Sequence, residues 1–152
     1  MNSTQTLHGC AIILGTHGVF IRGQSGSGKS RLAHQLISSW QDNNQFARWV
    51  VDDRVQITPY PAGLIARAPN QIKGIAEIRY FGIEPVLYED TTQLDLIVDL
   101  VPVKTLERMP EAHSVKLIGG GLSLPTLNAP DNDVLLAFEL VQAFFDKNSL
   151  QL

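Results

Sequence analysis

Charge is scarce in this chain. Asp, Glu, Lys and Arg make up 18% of its 152 residues, and the net charge is only −3. Without a cationic surplus there is no general affinity for the nucleic-acid backbone, so no nucleic-acid partner is expected. So little charge also leaves apolar surface to bury between copies, which points to an oligomer. Cysteine is nearly absent: Cys10 stands alone in an apolar stretch, so an internal disulfide is excluded and the thiol is expected to pack as a small hydrophobe. No apolar run is long enough to cross a bilayer, and residues 1–6, Met-Asn-Ser-Thr-Gln-Thr, are too polar for a secretory leader. The reading is a cytoplasmic protein with no membrane contact. No repeat or low-complexity linker divides the chain, and 44% hydrophobic content suits one domain over residues 1–152.

Glycine is present where it matters. Residues 23–30 read Gly-Gln-Ser-Gly-Ser-Gly-Lys-Ser, the complete pattern of a phosphate-binding loop. Glycines let the backbone curl so that successive N–H groups point at a phosphate chain. Gly23, Gln24, Ser25, Gly26, Ser27 and Gly28 form that cradle, Lys29 reaches the β- and γ-phosphates, and the Ser30 hydroxyl ligates Mg²⁺. A strand-like run, Val19-Phe20-Ile21, precedes the loop. A helix from Lys29 to Trp40 follows it, with Leu32, Leu36, Ile37 and Trp40 on one side. The alternative, a merely Gly/Ser-rich surface loop, does not account for that context.

The neighbouring segments predict a mixed α/β domain with at least five strands and two helices. Leu7 to Leu14 reads as a strand, Gly15 to Gly18 as a turn, and Val19 to Arg22 as a returning strand. The strand that feeds the loop is therefore antiparallel to its predecessor, unlike the commonest nucleotide-binding folds. Trp49 to Val51, Val55 to Thr58, Leu64 to Pro69 and Leu94 to Val101 read as further extended segments. Glu107 to Ser114 reads as exposed, and Leu117 to Leu122 as a turn into a strand. Leu124 to Asp133, with Pro125 and Pro130, reads as a loop. Asp131 or Asn132 is expected to cap a last helix, Val134 to Phe145.

A phosphate loop needs a carboxylate for metal or for the nucleophile's proton. Asp52 and Asp99 each follow an apolar run, and either can serve or simply end a strand. The adjacent pair Asp52-Asp53 is the stronger candidate, because two neighbouring carboxylates are costly unless a cation meets them. Glu77 and Arg79 flank Ile78 at the strand period, which places both on one face. They offer either a metal-directed carboxylate with a phosphate-directed guanidinium or a plain ion pair. His8 alone reads as structural.

Taken in order, these residues resemble the catalytic domain of HPr kinase/phosphorylase. The resemblance is carried by His8-Gly9, the hairpin, Gly23 to Ser30, residues 50–55 (Val-Val-Asp-Asp-Arg-Val), residues 76–83 (Ala-Glu-Ile-Arg-Tyr-Phe-Gly-Ile), residues 89–98 and residues 106–109 (Leu-Glu-Arg-Met). It runs in order from about residue 7 to 109 and more loosely beyond. It implies a variant phosphate-loop kinase fold with a mixed, partly antiparallel sheet, in a short form holding the catalytic part alone. It also implies an ATP- and Mg²⁺-dependent protein-serine kinase that phosphorylates the phosphocarrier HPr and reverses the reaction with inorganic phosphate. Asp52 then resembles the acceptor of the serine proton and His8 its partner. Lys29 and Arg108 resemble catalytic cations, Ser30 and Glu77 the Mg²⁺ ligands, and Arg79 lies in a segment used in both directions. A homo-hexamer is implied, with HPr meeting residues of neighbouring subunits. Residues 124–133 depart from the family pattern: they carry Asp131 and Asp133 and no arginine, which predicts weaker capture of phosphate or phosphoserine. Two other readings stand beside this one, a phosphate-loop kinase of small molecules and a non-catalytic nucleotide-sensing module.

Overall fold

A computed structural model describes residues 3–110, 114–117 and 123–150. Eleven strands and two α-helices are found among them. Nine strands form one mixed sheet, with the order β1 (Gln5–His8), β5 (Arg54–Tyr60), β6 (Gly63–Arg67), β9 (Thr91–Val101), β3 (His17–Gly23), β2 (Cys10–Leu14), β4 (Ala47–Val51). The last two of the nine, β10 (Ser114–Leu117) and β11 (Ser123–Pro130), pair with each other, and β11 also joins β9. A separate two-stranded hairpin is made by β7 (Ile75–Ile78) and β8 (Gly82–Pro85).

The centre of the sheet is a parallel trio. β3 runs parallel to β9, with Ile21 opposite Val98, and β11 runs parallel to β9 on its other side, with Leu127 also opposite Val98. The 11-residue β9 has room for a third partner, and its first residues pair antiparallel with β6. The expected β2–β3 hairpin is present and antiparallel. β4 is antiparallel to β2 and so points the same way as β3. Three things therefore meet at one edge of the sheet: the ends of β3 and β4, and the beginning of β2.

Alternation along the strands separates two cores. Ile12, Leu14, Val19, Ile21, Leu96 and Val98 face α1 (Lys29–Asp42) and α2 (Val134–Leu150). Ala11, Phe20 and Ile97 face the other way, toward Val55, Ile57, Leu64 and Ala66 of β5 and β6. The predicted apolar face of α1 is buried as expected. Trp40 Nε1 donates to Gln142 Oε1 at 2.7 Å, tying α1 to α2.

Several sequence readings need correction. Leu7 to Leu14 is two strands broken at Gly9, because β1 pairs with β5 while β2 pairs with β3. Residues 124–130 belong to a strand rather than a loop. Pro125 lies before the register shared with β9 begins, and Pro130 ends the strand, so neither proline interrupts the central ladder. The cap of α2 is Asp133, whose Oδ1 accepts the Leu136 N–H at 3.1 Å; Asp131 and Asn132 precede it. Residues 72–83 turn back as a hairpin, and Arg79 sits in its turn, not on a strand beside Glu77. The end of the exposed stretch expected before Ser114 and most of the turn expected at 117–122 lie outside the described residues.

Candidate active site

The loop after β3 closes on itself before α1 begins. Ser27 N–H donates to the Gln24 carbonyl at 3.0 Å, and Gly26 and Gly28 take φ of 79° and 101°. A Cβ added at either glycine would meet nothing within 4 Å, so the left-handed backbone, not crowding, demands glycine there. The same open space is a cradle. No side chain caps α1 at Gly28, so the first helical N–H groups lack the usual internal partner and face the cavity. Ser27 Oγ is buried without a hydrogen-bond partner. Lys29 Nζ folds back to donate to the carbonyls of Gly23 and Gln24, each at 2.9 Å. An anionic ligand would give both the lysine and the helix start a better partner.

Asp52 stands at the end of β4, two strands from the loop. The residue is 6% exposed, and its carboxylate receives three donors. Ser30 Oγ–H donates to Oδ1 at 2.6 Å, Cys10 Sγ–H to the same oxygen at 3.1 Å, and Glu77 N–H to Oδ2 at 2.8 Å. These three hydrogen bonds fix the orientation of the buried carboxylate. Cys10 is there because β2 begins at the edge where β3 and β4 end, which places its first side chain beside both Ser30 and Asp52. Burial first, then the Asp52 charge, push the Cys10 thiol well above its ordinary value, so it stays a donor.

Together these groups line a cavity of about 910 Å³. The structure brings Ser25 to Ser30, Asp52, Asp53, Glu77 and Arg79 into its wall. Gly23 and Gln24 contribute the carbonyls that hold Lys29. His8 is not brought in: it is exposed on β1, beyond the Gly9 break, and makes no hydrogen bond to Asp52. Arg108 lies on an exposed segment after β9 and does not line the cavity. Asp99, the alternative acid, is held by Arg22 through two N–H groups, one at 3.2 Å, within the sheet. Sequence reasoning missed two residues. One is Cys10, whose place depends on strand order. The other is His34, one helical turn after Ser30, whose ring packs on Trp49 with centroids 4.8 Å apart and whose Nε2 lies 3.2 Å from the Glu77 carbonyl.

Residues 1–130 match the model of the HPr Serine kinase C-terminal domain. The chain belongs to this family. Similar curated proteins are the HPr kinase/phosphorylases of Malacoplasma penetrans, 30% identical over 80% of this chain, and Lacticaseibacillus casei, 32% identical over 75%. This chain covers 39% and 37% of those two relatives, little more than a third of their length. The solved HPr(Ser) kinase/phosphatase of Coxiella burnetii superposes with a TM-score of 0.76 at 24% identity, covering 95% of this chain and 93% of that one. The α/β fold with a mixed sheet is thus that of the HPr serine kinase family. Among the described residues no helix is long and apolar enough to cross a membrane, and no three His, Cys, Asp or Glu side chains cluster to hold a metal by themselves.

Proposed function

We propose that this chain is a single-domain, cytoplasmic protein-serine kinase that transfers phosphate from ATP to HPr. The observation that carries the reading is Asp52, a buried carboxylate bonded to the serine of the Gly23–Ser30 loop and facing the same cavity. Phosphoryl transfer asks for positioning and charge neutralisation more than for covalent chemistry. The loop amides and the start of α1 bind and align the phosphate chain. Lys29 leaves its two carbonyls and neutralises the β- and γ-oxygens. Asp52 orients the acceptor hydroxyl and takes its proton: three donors fix the carboxylate, and an ionised carboxylate offers about four acceptor sites, so one is left for the serine.

Mg²⁺ would be held by Ser30 Oγ and the Glu77 carboxylate, with the nucleotide's own phosphates completing the set. A site with few protein ligands suits this ion, which binds through one or two carboxylates and keeps phosphate and water ligands. When bound, Mg²⁺ supplies charge neutralisation at the transferring group. Arg79, in the hairpin turn, supplies a further cation. His8, whose strand pairs at Arg54 beside Asp53, would partner Asp52 from its own chain, and Arg108 would add a second catalytic cation. The copies would assemble as a homo-hexamer in which HPr meets residues of neighbouring subunits. In the reverse reaction inorganic phosphate takes the phosphoryl group from the serine, giving pyrophosphate, while Asp52 returns its proton to the serine oxygen.

One observation favours a protein acceptor over a metabolite. Tyr80, Phe81 and Ile83 on the hairpin at the cavity mouth are 101%, 72% and 60% exposed, and such apolar surface marks contact with a macromolecule. Incubating the protein with ATP, Mg²⁺ and HPr, then weighing HPr by mass spectrometry, tests the reading. One added phosphate is expected. ATP turnover with a metabolite and an unchanged HPr mass would instead make it a small-molecule kinase, and no turnover with any acceptor would make it a nucleotide-sensing module.

A further inference from the structure

The first turn of α1 carries Lys29 and Arg31 and no acidic residue. Two cations at a helix N-terminus are electrostatically unfavourable. Lys29 is accounted for by the two carbonyls that hold it. Arg31 is not. It lines the cavity, and among the described residues it makes neither an ion pair nor a hydrogen bond. The same is true of Arg79, whose guanidinium only overlies the Tyr80 ring at 5.8 Å. Tyr80 itself holds a left-handed φ of 65°, a strained conformation that clusters at ligand sites.

Two unpaired guanidinium groups in one cavity form an anion site in waiting, since arginine's planar fork matches phosphate oxygens with two parallel hydrogen bonds. The other walls supply little cation. Residues 124–133 contribute none, and Asp133 adds negative charge there. Besides Lys29, Arg31 and Arg79 are the cationic side chains of the described cavity wall. We propose that Arg31, with Arg79, binds a tetrahedral phosphate dianion in this cavity: the phosphoserine of the product, or inorganic phosphate. This rests on the kinase reading above and adds a residue to it. No bond is made or broken at Arg31; it holds the anion beside Lys29 while Asp52 manages the proton.

The test titrates inorganic phosphate and, separately, O-phosphoserine into the protein saturated with ADP and Mg²⁺, by calorimetry, for the unaltered chain and for Arg31→Ala, Arg31→Lys and Arg31→Glu. The expected result is at least a tenfold rise in dissociation constant in Arg31→Ala, a larger one in Arg31→Glu and partial rescue in Arg31→Lys. ATP affinity should stay within about twofold. A change for only one of the two anions still supports the site and names its source. Equal anion affinities across the series, or a loss confined to ATP, would overturn the proposal; the latter would assign Arg31 to the nucleotide's own phosphates. Arg31 is exposed, so the variants should fold. HPr phosphorylation by the unaltered chain is measured alongside, so that failure of the site and failure of the kinase reading give different results.

Discussion

Cys10 and His8 stand two positions apart, yet only Cys10 reaches the acid. Nothing in residue type announces this, since a histidine beside an aspartate is the more familiar pair. The difference is made by Gly9, where the chain leaves the β1–β5 ladder and enters the β2–β3 ladder. Asp52 was legible as an acid at a strand end, and its companions Ser30 and Glu77 were legible as polar residues of the right kind. Their convergence required the fold. The buried thiol also has a pH signature. The folded state holds the Cys10 proton more tightly than the unfolded chain does, because burial and Asp52 both raise its pKa. This stability is complete below the thiol's ordinary value of 9.0 and is lost as pH climbs toward the raised native value. Cys10→Ser keeps a donor to Asp52 but does not titrate there. Melting temperatures followed across alkaline pH should therefore fall more steeply in the unaltered protein than in Cys10→Ser; parallel curves would contradict the assignment.

At the scale of elements, the strong patterns carried well and the punctuation did not. The helix after the loop, the β2–β3 hairpin and the Leu94 strand follow from periodicity and apolar runs. β11 was hidden because two prolines normally argue against a strand, and only the register shows that both fall at places where the central ladder loses nothing. Arg79 moved into a turn for a related reason. The run 72–83 has no obvious breaker at position 80, and Tyr80 adopts a conformation usually left to glycine or asparagine. The join between β3 and the loop is tight. A Cβ at Gly23 would lie 2.6 Å from Ser27 Oγ, 3.0 Å from Leu100 Cβ and 3.1 Å from the Leu100 carbonyl. The hydroxyl can swing away, but the β9 backbone cannot. Gly23→Ala should therefore cost about 1–3 kcal/mol of stability and displace the loop, which weakens ATP binding as well. Denaturant unfolding and nucleotide titration check both parts; an unchanged midpoint would mean that β3 and β9 separate more easily than this contact implies.

The whole molecule explains why one cavity gathers groups so distant in sequence. A parallel trio, β3, β9 and β11, sends its strand ends toward the loop, and the antiparallel β2 lets β4 deliver Asp52 to the same edge. Ligands in open α/β sheets sit beyond the carboxyl ends of the strands, and this arrangement obeys that rule despite its antiparallel neighbours. Fold class was readable from the alternation of strands and helices, but the order of nine strands was not, because pairing partners such as β1 and β5 lie far apart in the chain. The central claim is that the loop and Asp52 act as one phosphotransfer unit, the loop binding and the carboxylate activating. Its most direct measurement is phosphate transfer to HPr by Asp52→Asn under single-turnover conditions, with ATP affinity measured on the same sample. The account predicts that transfer falls by a factor of about 10²–10⁴, the range expected for a lost general base, while ATP still binds. Near-normal transfer by Asp52→Asn would contradict it.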